Sequence, residues 1–159
     1  MGKNSFLLIL DLLDKKLLTF LQENAKTDIG QLCSALKLTK TPIYNRIKRL
    51  EDEKVIDKYV AVLKLGQNGG MVVFCSVSLD NQRLETIALF GQAVQGLPEV
   101  MECYLMGGIS DFLLKVVVQD LDHYHKFSSG KLATIKNVAQ IKSLFVLDVV
   151  KNSTLYPIY

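Results

Sequence analysis

The 159-residue sequence predicts an α+β protein in two parts, a cluster of short helices followed by a sheet domain in the order βαββαβ. Three observations predict it. Apolar residues recur at helical spacing before residue 51 and give way to β-rich runs after residue 70. Glycines bunch at Gly66 and Gly69-Gly70, which marks 64–70 as the break between the parts. Charge divides at the same place: residues 1–64 carry 12 Lys/Arg against 8 Asp/Glu, and residues 65–159 carry 7 against 8.

The first helix is expected to start at Asp14, an N-cap flanked by Leu13 and Leu18 as a hydrophobic staple, with Leu17, Leu18 and Leu21 as its buried stripe. Asn24-Ala25-Lys26 ends it. Asp28 caps a second helix, and Gln31 stands three residues on in a capping-box arrangement. Ile29, Leu32, Cys33 and Leu36 follow i, i+3, i+4, i+7, so one face is apolar. This helix is too short to be stable alone and must pack against neighbours. Lys37-Leu38 is a tight connection. Thr39 is placed to cap a third helix through its hydroxyl, and Pro42 falls in that helix's first turn, where its missing N–H costs little. Ile43, Ile47 and Leu50 face inward. At about 100° per residue, Thr41, Asn45 and Lys48 face outward, flanked by Tyr44 and Arg49.

A short capped helix, a tight turn and a polar-faced helix describe a helix-turn-helix. Between Lys37 and Leu50 stand Lys37, Lys40, Arg46, Lys48 and Arg49 with no acidic residue. Such a basic block in an otherwise near-neutral chain (net charge +3) is the electrostatic footprint of a nucleic-acid binder. After Glu51-Asp52-Glu53, the alternating stretch Tyr59–Leu63 is expected to form a linker strand or wing. Residues 1–63 are thus assigned to a winged-helix-like DNA-binding domain and 64–159 to a second domain.

In the second domain, Met71–Leu79, Val100–Met106, Phe112–Val118 and Val138–Val150 read as strands, with helices at Leu84–Gln95 and Leu121–Lys131. The order is that of a ferredoxin-like domain, two helices covering one face of an antiparallel sheet. The other face is expected to meet a second copy of the chain.

Composition narrows the function. With 49% hydrophobic and 22% charged residues the chain is globular. No apolar run reaches the roughly 18–20 residues of a membrane span. Phe6–Leu10 is interrupted by Asp11 without a cleavage site, and Phe6 replaces the Ser or Thr of a myristoylation signal, so neither a secretory leader nor a lipid anchor is expected. Cys33, Cys75 and Cys103 lack metal or disulfide spacing and are expected as buried thiols. His123 and His125 project roughly 200° apart on a helix, which disfavours a shared metal. No catalytic grouping, metal site, cofactor or phosphate-binding loop is read from the sequence.

The stretch Leu13-Asp14-Lys15-Lys16-Leu17-Leu18, then Leu38-Thr39-Lys40-Thr41-Pro42-Ile43-Tyr44-Asn45-Arg46-Ile47-Lys48-Arg49-Leu50-Glu51, then Val55-Ile56 and Tyr59 resembles the Lrp/AsnC (feast/famine) family of transcriptional regulators. The order of elements agrees over essentially the whole chain. The resemblance implies that the third helix enters the major groove, with Lys40, Thr41, Tyr44 and Asn45 toward base edges and Thr39, Arg46, Lys48 and Arg49 toward phosphates. Arg46 and Arg49 have an alternative, pairing with Glu51 or Asp52. The resemblance also implies a C-terminal domain that dimerises, assembles further into an octamer of four dimers, and binds an amino-acid effector. Met106, Gly107, Gly108, Asp111 and Ser143 are its implied contacts. Two departures bear on that site: Ser110 stands where the family's G-x-aromatic-D turn has its aromatic, and Ile141 precedes Ser143 where two hydroxyls are usual. Asp111 either pairs with the effector's ammonium or caps the turn. Lys37 replaces a glycine common after the second helix, at about 1 kcal/mol if its backbone is left-handed. The implied setting is the cytoplasm of a bacterium or archaeon, on the nucleoid. Two other readings share the scaffold: a sirohaem decarboxylase-like enzyme, and an architectural protein that coats DNA.

Overall fold

The computed structural model describes residues 10–63 and 69–159. The apolar and lipidation positions before Leu10, and most of the expected break at 64–70, lie outside the described residues. The elements are α1 (Leu12–Glu23), α2 (Ile29–Leu36), α3 (Lys40–Asp52), β1 (Met71–Leu79), α4 (Leu84–Gln95), β2 (Val100–Leu105), β3 (Phe112–Val118), α5 (Leu121–Phe127) with a π-helical turn at Ser128–Leu132, and β4 (Val138–Phe145). They form two compact units, Met1–Val62 with Lys151–Tyr159, and Leu63–Val150.

In the first unit, Leu17, Leu32, Ile43 and Leu50 are buried, with Leu18 and Leu36 at the margin of the same cluster. The helix starts differ from expectation in two respects. Asp11, not Asp14, is the N-cap of α1, so Leu13 and Leu18 both lie inside the helix and do not staple its start. Asp11 and Asp14 form a reciprocal capping box: the Asp14 N–H donates to Asp11 Oδ1 at 2.7 Å and the Asp11 N–H to Asp14 Oδ2 at 3.2 Å. Asp28 caps α2 as expected, but through the N–H of Gly30 at 2.7 Å. Thr39 holds the N-cap position of α3 in extended geometry without a side-chain capping bond.

Lys37 ends α2 in the left-handed region, φ 55°, where a Cβ crowds its own backbone. Its N–H donates to Cys33 and closes the helix.

The residues assigned to a linker strand, Tyr59–Leu63, form no hydrogen-bonded strand. Val60, Val62 and Leu63 are all more than half exposed, because an extended segment becomes a strand only beside another. The domain limit at the C-terminus also needs correction. Residues 151–159 belong with the helices, because Gln22 pairs with the Tyr156 backbone, accepting its N–H at 2.6 Å and donating to its carbonyl at 3.2 Å. Ile158 packs against the same apolar cluster.

The second unit is a four-stranded sheet in the order β2-β3-β1-β4, every neighbouring pair antiparallel. This is the ferredoxin-like arrangement expected. β1 alternates, burying Val73, Cys75, Val77 and Leu79, and β3 buries Phe112, Leu114, Val116 and Val118. Phe90 and Val94 of α4, Tyr124 and Phe127 of α5, and Leu132 of the π-helical turn close over that face. The last strand is shorter than the expected Val138–Val150. Its ladder runs out with its partner: Val146 donates to the Val72 carbonyl, one residue from the start of β1. Gly70, at φ 77°, precedes β1, and a Cβ there lies 2.5 Å from the Val118 carbonyl oxygen, so only glycine fits.

Replacing Lys37 by glycine is expected to stabilise the first unit by about 1 kcal/mol, since glycine adopts this backbone without the steric cost. Urea denaturation of the two proteins measures it.

Candidate nucleic-acid interface

α3 forms because Pro42 sits in its first turn and Ile43, Ile47 and Leu50 recur on one side. Ile43 and Leu50 are wholly buried, and Ile47 packs at the margin. Anchoring that side fixes which residues face outward. Thr39, Lys40, Thr41, Tyr44, Asn45 and Lys48 are all exposed. The stripe expected from the sequence is therefore present and uncovered, with two cations, two hydroxyls, an amide and a phenol on one surface.

Arg46 and Arg49 leave that set. They were expected on phosphates, or alternatively on Glu51 or Asp52, but both reach back to α1. Arg46 Nη1 donates to Asp11 Oδ2 and Asp14 Oδ1, each at 2.7 Å, and Arg49 Nη2 donates to Asp14 Oδ2 at 2.5 Å. Asp14 is 1% exposed, and a charge that deep is tolerated because it is paired and hydrogen-bonded. The N-cap bond that the Asp14 N–H donates to Asp11 and the Arg46 guanidinium hold the Asp11 carboxyl below its ordinary value, and the bonds that Arg46 donates to Asp11 and Asp14 raise Arg46. Glu51 has a different partner: the Tyr59 hydroxyl donates to it at 2.8 Å, and burial together with this bond pushes Tyr59 up to about 12.

The sequence did hold a signal for this network. Asp11 and Asp14 are spaced i, i+3, as are Arg46 and Arg49, so each helix presents its pair on one face. Treating Asp14 as a cap concealed it.

Of the expected effector residues, Met106, Gly107, Gly108 and Asp111 share the β2–β3 turn, where the Met106 N–H donates to the Asp111 carbonyl at 2.8 Å, and Ser143 stands apart on β4. Met106, Gly107 and Gly108 form an exposed turn after β2, and a Cβ added at either glycine meets nothing within 4 Å. Asp111 is buried and acts as a cap: Oδ2 accepts from the Leu79 N–H at 2.7 Å and Oδ1 from Gln82 Nε2 at 2.8 Å. Ser143 lies opposite Cys75 on β4, on the far side of β1 from Asp111. Its hydroxyl bonds the Tyr124 phenol, which also meets Cys75 Sγ at 3.3 Å. All three cysteines are free; Cys75 is buried as expected, but Cys33 is half-buried and Cys103 is exposed on the edge strand β2. Among the described residues no group of three His, Cys, Asp or Glu is placed to hold a metal, and no helix is long and apolar enough to cross a membrane.

Residues 72–156 match the Lrp/AsnC ligand binding domain, and residues 10–57 match a winged helix-turn-helix DNA-binding domain. The chain belongs to the Lrp/AsnC family. It is 39% identical over 142 residues to the Bkd operon transcriptional regulator of Pseudomonas aeruginosa, covering 89% of this chain and 93% of that one. It is 31% identical to the leucine-responsive regulatory protein of Escherichia coli, covering 91% and 88%. A transcriptional regulator of Neisseria meningitidis, solved as an L-Met complex, superposes with a TM-score of 0.86 at 31% identity, covering 94% and 97%. This Lrp/AsnC chain is a DNA-binding transcriptional regulator, and its relatives, named as regulators, do not favour the decarboxylase reading.

Two outcomes follow from the α1–α3 network. Asp14→Ala is expected to cost about 2–3 kcal/mol in urea denaturation, less than for a fully buried pair because both guanidiniums keep some solvent access. The lowered Asp11 carboxyl stabilises the fold above its unfolded value, 3.8, and that contribution is lost as pH falls through the folded value. The urea midpoint should therefore hold from neutral pH to about 5 and drop below about 4, with a smaller drop in Asp11→Asn.

Proposed function

We propose that this protein works as a dimer or higher homo-oligomer that sets two α3 helices into successive major grooves of a pseudo-palindromic operator. The observation that carries the reading is the uncovered stripe of Lys40, Thr41, Tyr44, Asn45 and Lys48 on a helix whose opposite side is fixed by Ile43 and Leu50. Asn45 pairs well with adenine and Lys40 with guanine; Thr41 and Tyr44 add contacts to base edges. Thr39 and Lys48 position the helix on phosphates.

Dimerisation is supported by the sheet's second face. Val72, Phe74, Leu113 and Val117 are only half-buried there, and Tyr104 and Leu144 are exposed. A second copy laid on this face covers it, and association of dimers toward an octamer multiplies weak half-site contacts. The effector class is a free amino acid. The match to a ligand-binding domain and the L-Met complex of the Neisseria relative support it. The open turn Met106–Gly108 is the best-supported part of that site, because the Asp111 carboxylate and the Ser143 hydroxyl already have internal partners. The setting proposed is the cytoplasm, on the nucleoid.

Footprinting on genomic fragments tests the reading: discrete protected sites support it, and uniform coverage supports the DNA-coating alternative. On a protected site, Asn45→Ala should cost about 1–3 kcal/mol and relax sequence preference, whereas Lys48→Ala should weaken all sequences alike and lower the salt slope by about 0.9. Phe74→Glu should reduce the mass measured by light scattering to that of a single chain while the helical signal persists. Calorimetric titration with L-methionine and L-leucine tests the effector, and an absence of heat with every amino acid refutes it.

A further inference from the structure

We propose that Asp11 is a specificity-determining residue: it holds Arg46 away from DNA phosphates and thereby limits sequence-independent binding. The inference rests on the DNA-binding reading above and concerns how that binding is tuned.

The two carboxylates on Arg46 differ in kind. Asp14 is interior, 1% exposed, and serves Arg46, Arg49 and the Asp11 N–H together. It is part of the fold. Asp11 has a side chain 50% exposed and Arg46 one 24% exposed, so this ion pair stands at the rim of the domain. There its two oxygens divide their work: Oδ1 caps α1 and Oδ2 receives Arg46 Nη1.

Arg46 directly follows Asn45 on α3 and stands two residues before Lys48, both exposed residues of the proposed contact surface. A duplex seated on that surface brings phosphate oxygens toward the same rim. A phosphate oxygen and a carboxylate oxygen make the same demand on a guanidinium, a charge-assisted N–H···O bond. Asp11 therefore occupies the position a phosphate competes for. Each phosphate contact contributes to every DNA sequence alike, because it displaces counterions without reading bases. Withholding one cation lowers affinity for random DNA while Asn45 and its neighbours continue to read the operator. The ratio between specific and non-specific binding rises as a result.

The test is a double-mutant cycle on the full-length protein, read as the salt dependence of binding to a random-sequence duplex and to a footprinted site. Asp11→Asn keeps a good N-cap and removes the charge. It should tighten random DNA binding by about three- to tenfold and steepen the plot of log affinity against log salt by about 0.9, one phosphate's worth. Arg46→Ala alone should leave that slope unchanged, and Asp11→Asn with Arg46→Ala should return to the wild-type slope. Asp11→Ser, also a good cap, repeats the measurement should the asparagine variant melt early. An unchanged slope in both Asp11 variants overturns the proposal. So does a gain that persists without Arg46, since it reports removal of a repelling charge and not release of the arginine. A wild-type protein that binds no duplex at low salt refutes the DNA-binding reading itself, an outcome distinct from either of these.

Discussion

The first unit depends on one buried carboxylate. Asp14 lies buried in the first turn of α1, and its ion pairs join α1 to α3 beside the apolar contacts of Leu17, Leu18, Ile43 and Leu50. Small domains gain little from burial, so the orientation of a helix within them is weakly fixed by apolar contact alone. A carboxylate that accepts from two guanidiniums and from the Asp11 N–H supplies direction as well as attraction. Together with the buried Ile43 and Leu50 it fixes the roll of α3 about its own axis, and the roll decides whether Thr41, Asn45 and Lys48 face outward together. A roll of about 100°, one residue's worth, would exchange this stripe for its neighbours.

The same network explains how a basic helix can be both strongly charged and selective. Of the cations on α3, Lys40 and Lys48 face solvent, whereas Arg46 and Arg49 are tied to Asp11 and Asp14. A count of basic residues overstates the charge available to DNA. The effective positive face is smaller and set by lysines, which present point charges on flexible stems and suit phosphates better than they fix register. On the proposed reading, base contact then falls on Asn45, Thr41 and Tyr44 together with Lys40.

Much of this was legible in the sequence, and the failures have physical causes. The helical periodicity of residues 12–52, the alternation in β1 and β3, and the outward stripe of α3 were all readable because burial imposes a period on each. Lys37 was legible as a left-handed position because the resemblance set a glycine there. The partners of Arg46 and Arg49 were missed because they lie on another helix more than thirty residues earlier in the chain. The nearer acids Glu51 and Asp52 were the obvious choices, yet Glu51 is bonded by Tyr59. The end of β4 was overestimated because apolar character continues to Val150 while the partner strand does not. Cys103 was expected to be buried because its neighbours are apolar, but β2 is an edge strand and apolar neighbours there are themselves exposed.

Three features of the chain bear on the proposed assembly. Tyr59–Leu63 carries strand-forming residues with no strand beside it. The outer face of the sheet carries Phe74 and Leu113 half-buried and Tyr104 and Leu144 exposed. The implied effector residues are divided across β1, with Asp111 and Ser143 serving internal bonds. On the proposed oligomeric reading, the three features have one cause. They follow together if the sequence was selected in an oligomer, where backbone groups, apolar area and ligand contacts are completed by other copies. On this argument the sequence encodes two levels of structure at once. The buried positions of α3 and β1 specify the chain, and on the proposed reading the exposed apolar positions of 59–63 and the outer sheet face specify its association.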